Sequence, residues 1–231
     1  MPLLTSFGPD IWMSDGETVD VAGFRYPTRM AVMKLGDGGL FVWSPTKLSV
    51  ELKQEVDALG PVRCIVAPNS LHHLFMPDWK AAYPSAKLFA APGLQKRRTD
   101  IAFDAELADA PPPEWSDVLD QVIMRGNAIT QEIVFFHRAS NTVLFTDLLQ
   151  HFETGWFRGW RGVVAKLDRL TAQQAEVPQK FRVAFTDRKA ARAALTRIFA
   201  WPAEKVLMAH GAPVTTGGAA FIRRAFRWLM S

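Results

Sequence analysis

The chain holds one cysteine, two tyrosines and five histidines among its 231 residues. None of its apolar runs approaches the roughly 18 residues that crossing a bilayer requires. Each scarcity excludes something. A lone Cys64 cannot form a disulfide framework, and its use suits a reducing compartment. It lies within the apolar run Val62-Arg63-Cys64-Ile65-Val66, the setting of a buried thiol rather than a nucleophile. The start, Met1-Pro2-Leu3-Leu4-Thr5-Ser6, lacks a basic stretch followed by an apolar one, so no signal peptide is expected and the expected location is the cytoplasm. There is no repeat and no low-complexity tract. No RNA-interaction motif or helix-turn-helix pattern is present, which ranks nucleic acid last among partners.

What is present is globular. Hydrophobic residues make up 48% of the chain and charged residues 22%, enough apolar side chains for a sizeable core. The length favours a single domain, 1–231, over two small ones. Eight Trp and 16 Phe are many for this length. Most belong to the core, which leaves some for a pocket or for a subunit contact in a homo-oligomer. The net charge of +4 is uneven: from Gln179 onward there are ten Lys/Arg against two Asp/Glu, and before it 17 against 21. Such a basic segment is either a solvated helix face or a surface for anionic substrates, nucleic acid or lipid.

Apolar periodicity gives the order of elements. Residues 30–35 and 40–43 flank Gly36-Asp37-Gly38-Gly39 and predict a β-hairpin. Ser49 caps a helical pattern that stops at Gly60. The run 62–67 reads as a buried strand, Pro77 opens a helix to about Tyr83, and 86–91 is the next strand. Residues 99–118, with Pro111-Pro112-Pro113, are irregular. Strands at 120–125, 132–137 and 142–146 predict an antiparallel meander. Helices are expected at about 161–170, 187–199 and 217–230, with a last strand at 205–209.

The chemistry-bearing residues stand just past the ends of apolar strands, where rigid backbone holds a side chain in place. His72 and His73 follow the 62–67 strand. Asp147 ends Val143-Leu144-Phe145-Thr146-Asp147, and His210 ends Val206-Leu207-Met208-Ala209-His210. Imidazole and carboxylate suit zinc first, then manganese or iron.

These segments resemble the metallo-β-lactamase superfold, whose motif is His-x-His-x-Asp-His, followed by a Gly-His pair, a bridging Asp and a late His. His73 matches the last His of the first motif, Asp147 the bridging Asp, and Ala209-His210-Gly211-Ala212-Pro213 the late segment. Within the superfold the chain is similar to the DUF4336 branch, through Tyr26-Pro27-Thr28-Arg29-Met30, Pro68-Asn69-x-x-His72-His73-Leu74-Phe75 and Phe135-Phe136-His137-Arg138. The resemblance spans most of 26–215. It implies a four-layer αββα sandwich of two mixed sheets flanked by helices. The departures fall on one metal. The two leading His positions are Pro68 and Ser70, and the middle pair is Gly126-Asn127, so the first metal has lost its ligands. The second keeps His73, Asp147 and His210, with His72 where the motif has Asp. The resemblance thus implies one divalent ion on His72, His73, Asp147 and His210. A closed shell of four would favour structure over catalysis, and three ligands would leave an open position.

Around this set, Asn69 and Asn127 are candidates to orient a ligand or to cap turns. Glu132 is a replacement ligand or base, or else a strand-edge carboxylate. His151, read as one helical turn after Asp147, is within reach of the mouth. His137 is expected at the far edge of the sheet. Trp156 and Arg158 suit stacking on, or pairing with, an anionic small molecule, and burial or a dimer contact explains them equally. Surface association of the basic C-terminal helix with lipid or nucleic acid ranks last, and two functions stand ahead of it. One is a hydrolase-like protein with at most one metal, acting on an ester, lactone or phosphoester. The other is a metal-free, inactive small-molecule binder on the same fold.

Overall fold

Along Val62–Ala67 (β5) neighbouring side chains enter different cores. From Cys64 on, Cys64 and Val66 pack with Phe41, Phe135 and Leu144, while Ile65 and Ala67 pack with Leu52, Val56 and Trp79. That two-residue alternation makes a strand buried on both faces, and here it separates two layers of core. The computed structural model describes residues 2–231. The first sheet contains β1 (Thr5–Gly8), β2 (Ile11–Val21), β3 (Phe24–Lys34), β4 (Leu40–Trp43), β5, β6 (Lys87–Ala90) and β7 (Ala105–Glu106), in that spatial order. The second contains β8 (Leu119–Met124), β9 (Glu132–His137), β10 (Thr142–Gln150) and β11 (Lys205–His210), ordered β11-β10-β9-β8.

Both sheets are mixed. β1 to β4 pair antiparallel and β4 to β7 parallel, whereas β8-β9-β10 is an antiparallel meander with β11 added parallel to β10. Helices α1 (Val50–Leu59), α2 (Met76–Ala82) and α3 (Leu94–Arg97) cover the outer face of the first sheet. Helices α5 (Gln179–Ala184), α6 (Arg188–Ile198) and α7 (Gly218–Met230) cover that of the second. A third core lies between the sheets, built on Phe41, Trp43, Trp115 and Phe135. The order helix, sheet, sheet, helix is the expected four-layer sandwich. Helix α4 (Trp160–Leu167) caps one end over Phe152 and Phe157. Among the described residues no helix is long and apolar enough to cross a membrane.

The local signals act as chemistry dictates. Ser49 accepts a bond from the Leu52 N–H and caps α1. The β3–β4 turn closes through Leu35 N–H to Gly39 O at 2.8 Å, with Gly38 at φ +81°, a left-handed conformation that glycine adopts without strain. Other boundaries depart from the pattern. β2 is long, yet its residues Ser14, Asp15, Gly16, Glu17, Thr18 and Asp20 hide it, because much of it faces solvent. α3 and α5 are too short for a helical period to register. β10 continues three residues beyond Asp147, so His151 follows a strand and not a helical turn.

Candidate metal centre

The second sheet carries an irregularity where chemistry is expected. Phe145 pairs with Met208, but the next pairing joins Gln150 to His210. β10 therefore spends five steps against two of β11 and bows outward over 146–149. The freed backbone groups need partners, and Glu132 on β9 supplies them. Its carboxylate accepts the N–H of Thr146 at 2.7 Å, Asp147 at 2.8 Å and Leu148 at 2.9 Å. Glu132 is fully buried, and burial, then the nearby Asp147 charge, pushes its carboxyl up to about 7. Glu132 thus acts as a buried clamp that fixes the loop bearing Asp147.

Asp147 faces two imidazoles. His72 Nε2 lies 3.1 Å from its Oδ2 and His210 Nε2 lies 3.6 Å from its Oδ1. One donor atom from each of the three residues falls within 4.8 Å of the others. The outer ring nitrogens are anchored: His210 Nδ1 donates to Pro27 O at 2.7 Å, and His72 Nδ1 bonds Ser44 Oγ at 2.8 Å. For His210 this fixes the tautomer with the Nε2 lone pair turned inward, the usual arrangement behind a metal-binding histidine. The Asp147 oxygens accept from Asn69 Nδ2 at 2.7 Å and Gln150 Nε2 at 3.0 Å. Burial pushes the Asp147 carboxyl up, but the two imidazoles outweigh it and hold it well below the usual range.

This donor set fits a single divalent ion. Two imidazoles and a carboxylate are ordinary zinc ligands, and their donor atoms, within 4.8 Å of one another, need only draw together toward the roughly 3.3 Å that bonds of about 2.0–2.1 Å set in a tetrahedral shell. The buried Oε1 of Gln150 has no hydrogen-bond partner, so an unused oxygen lies on a residue already tied to Asp147. The side chains of His72, Asp147 and His210 are only 10%, 8% and 6% exposed, so little solvent reaches them.

The expected set of four becomes three, and it is His73 that turns away. Its Nδ1 meets Arg98 Nη1 at 2.5 Å. Burial, then the Arg98 guanidinium, lowers the pKa of its ring. Successive residues leaving β5 diverge, and His72 takes the inward direction. Asn69 holds the turn, accepting from Leu71 and His72 N–H while donating to Asp147 and Thr146. Asn127 does not reach the group: it accepts from Ile129 N–H and donates to Phe181 O. His151 lies beside the group through its backbone, donating N–H to His210 O, with its ring on Ala172 O. Trp156 donates to Arg25 O at the rim and is 42% exposed, and Arg158 is exposed. His137 is buried at the opposite end of β9, against Ser140.

Sequence reasoning passed over four neighbours of the group. Ser44, directly after β4, obeys the same strand-end rule as the ligands and was findable by it. Gln150 was hidden because β10 was expected to stop early. Tyr26 packs edge-on against His210 at 5.4 Å, and Lys180 donates to the Tyr26 hydroxyl at 3.1 Å. Nothing in sequence distance joins residues 26, 180 and 210.

The model of DUF4336, a domain of unknown function, matches residues 9–155. The chain belongs to the DUF4336 family. The match contains His72 and Asp147 but ends before His210. No curated protein sequence matches this DUF4336 chain. Its fold is that of the metallo-β-lactamases. A metallo-β-lactamase from Pontibacter korlensis superposes with a TM-score of 0.63 at 12% identity, covering 99% of this chain and 98% of that one. VMB-1 gives 0.67 at 9% identity over 98% and 95%. The metallo-β-lactamase FIM-1 from Pseudomonas aeruginosa, in a mono-zinc form, gives 0.65 at 12% identity over 98% and 94%. Identities this low establish the shared fold and leave the reaction open.

Proposed function

We propose that this DUF4336 member is a hydrolase-like protein that holds one divalent ion, zinc foremost, between His72, Asp147 and His210. The observation that carries the reading is the convergence of these three donors with His210 fixed by Pro27 O and His72 by Ser44. A single-zinc form of one fold relative, FIM-1, lends it support. A bound ion would supply Lewis acidity toward an ester, lactone or phosphoryl oxygen and lower the pKa of a water molecule. The chain's own residues hold the carboxylate with Asn69 and Gln150 and fix both rings through Pro27 O and Ser44. Pro68, Ser70 and Asn127 cannot build a partner site, so the chemistry is that of one ion.

The same hydrogen bonds favour a second reading. Asn69 and Gln150 already donate to the two oxygens of Asp147, so the pocket can close as a metal-free binder. Elemental analysis of purified and zinc-reconstituted protein separates the two. The first reading expects one equivalent and, at a hundredfold excess over Kd, about 2.7 kcal/mol of added stability that a chelator removes. Cobalt substitution should give visible absorption that His210→Ala and Asp147→Asn abolish and His73→Ala keeps. A protein that stays metal-free on reconstitution would overturn the single-ion reading.

A further inference from the structure

Away from the His72–Asp147–His210 group, a cleft of about 860 Å³ opens between α7 and the segment joining α4 to α5. Arg169, Arg182, Arg224 and Arg227 line it, with Glu176 as its one acidic residue and Trp228 on its wall. Glu176 is already in use: its Oε2 accepts from Arg169 Nη1 at 2.9 Å and Arg182 Nη2 at 2.7 Å. Among the described residues Arg227 has no carboxylate partner, and Arg224 reaches only the Ala175 carbonyl, at 3.4 Å. Four guanidinium groups against one side-chain carboxylate leave an excess of positive side-chain charge in one concavity, which Ser231 also lines. Arg169 holds its place with φ at +62°, a conformation that a non-glycine residue adopts at a cost. Arg182 lies over the Trp228 ring at 5.2 Å, and the buried indole N–H of Trp228 has no partner. Burial, then Arg169 and Arg227, lowers the pKa of Arg182, although Glu176 opposes the shift. Such crowding of like charge is costly unless an anion offsets it.

We propose that this cleft binds a phosphorylated small molecule. All four cations are arginine, whose planar fork matches phosphate with paired hydrogen bonds. The excess charge suits a multiply charged phosphate better than a single carboxylate. The volume lies in the range of small-ligand sites, about 300–1,000 Å³. An adjoining depression of about 470 Å³ shares Gln173, Gln174 and Arg224 with the cleft and adds Met208, Val214 and Phe221. It would receive an apolar or aromatic body attached to the phosphate. The site uses none of the three candidate metal ligands and so stands or falls independently of the metal reading. Of the ten basic residues after Gln179, it takes Arg182, Arg224 and Arg227.

Isothermal titration of the full chain with inorganic pyrophosphate tests this, with sulfate as the comparison anion. Pyrophosphate should bind more tightly than sulfate. Arg224→Glu/Arg227→Glu should weaken it about tenfold or more. The double variant Arg188→Glu/Lys189→Glu, which makes the same net charge change at the exposed start of α6 outside the cleft, should bind within about twofold of wild type, and equal melting temperatures verify folding. ATP and dihexanoyl phosphatidate then identify the source: tighter binding of either, competed by pyrophosphate, supports the site and assigns a nucleotide or a lipid phosphate. Absence of pyrophosphate binding, equal loss in both double variants, or binding only to RNA without competition by pyrophosphate would overturn the proposal.

Discussion

His137 shows how one side chain's surroundings set a pH dependence. It sits at the closed end of β9, paired across to Leu119 and Thr142, with Nδ1 on Ser140 and a buried Nε2 that has no partner. Burial lowers its pKa from 6.5 to about 4. The native state therefore resists protonation that the unfolded chain accepts. Between those values the unfolded chain binds more protons, so stability falls as pH drops from about 6.5 toward 4. At pH 5 this one group should cost about 2 kcal/mol relative to pH 7. Urea titrations of wild type and His137→Asn at the two pH values check it. The variant, which keeps a donor toward Ser140, should lose less on acidification by about that amount. Equal losses would remove His137 as the cause.

At the scale of elements, the decisive piece is the bowed part of β10. Glu132 anchors it with three backbone bonds, and a glutamine there would turn an N–H₂ toward one or more of those donors. Glu132→Gln should cost about 2–4 kcal/mol, read as a lower urea midpoint, and should weaken cobalt binding although every ligand remains. Unchanged stability would show that the bow holds itself. This bow also marks where the sequence stopped being readable. Strand ends followed by His72, Asp147 and His210 were legible because a buried strand has a plain apolar signature and its polar successor stands out. So were the meander and the capped α1. The inward turn of His72 rather than His73 was not legible, because the choice depends on Ser44, Asn69 and Arg98, which lie far apart in sequence. Glu132 looked like a strand-edge carboxylate, since nothing local reveals three unpaired N–H groups some fifteen residues away.

At the scale of the molecule, the candidate centre lies on the seam where the two sheets meet, and Arg29 ties that seam. It extends from β3 in the first sheet and is only 9% exposed. Its Nη1 donates to the carbonyls of Met208 (2.8 Å) and Gly211, on and just after β11 in the second sheet. Its Nε pairs with Asp15 Oδ1 at 2.6 Å. Two residues before it, Pro27 O receives the His210 ring, so β3 positions both the backbone and the side chain of the late histidine. Gly211 has little room to adjust: its φ is +146°, and a Cβ there would stand 2.8 Å from His151 O. Arg29→Met keeps most of the aliphatic volume but removes the bonds across the seam and leaves buried carbonyls without donors. We expect a loss of about 2–4 kcal/mol together with weaker metal uptake, because the Met208–Gly211 segment carries His210. Asp15→Asn isolates the ion pair. The Asp15 side chain is 66% exposed, so that variant should cost less than about 1 kcal/mol and leave uptake intact. Equal effects from the two variants, in urea melts and metal titrations, would mean that Arg29 acts through its surface partner and not across the sheets. A large effect confined to Arg29→Met would mean that the joining of the two sheets and the shaping of the centre are one structural event.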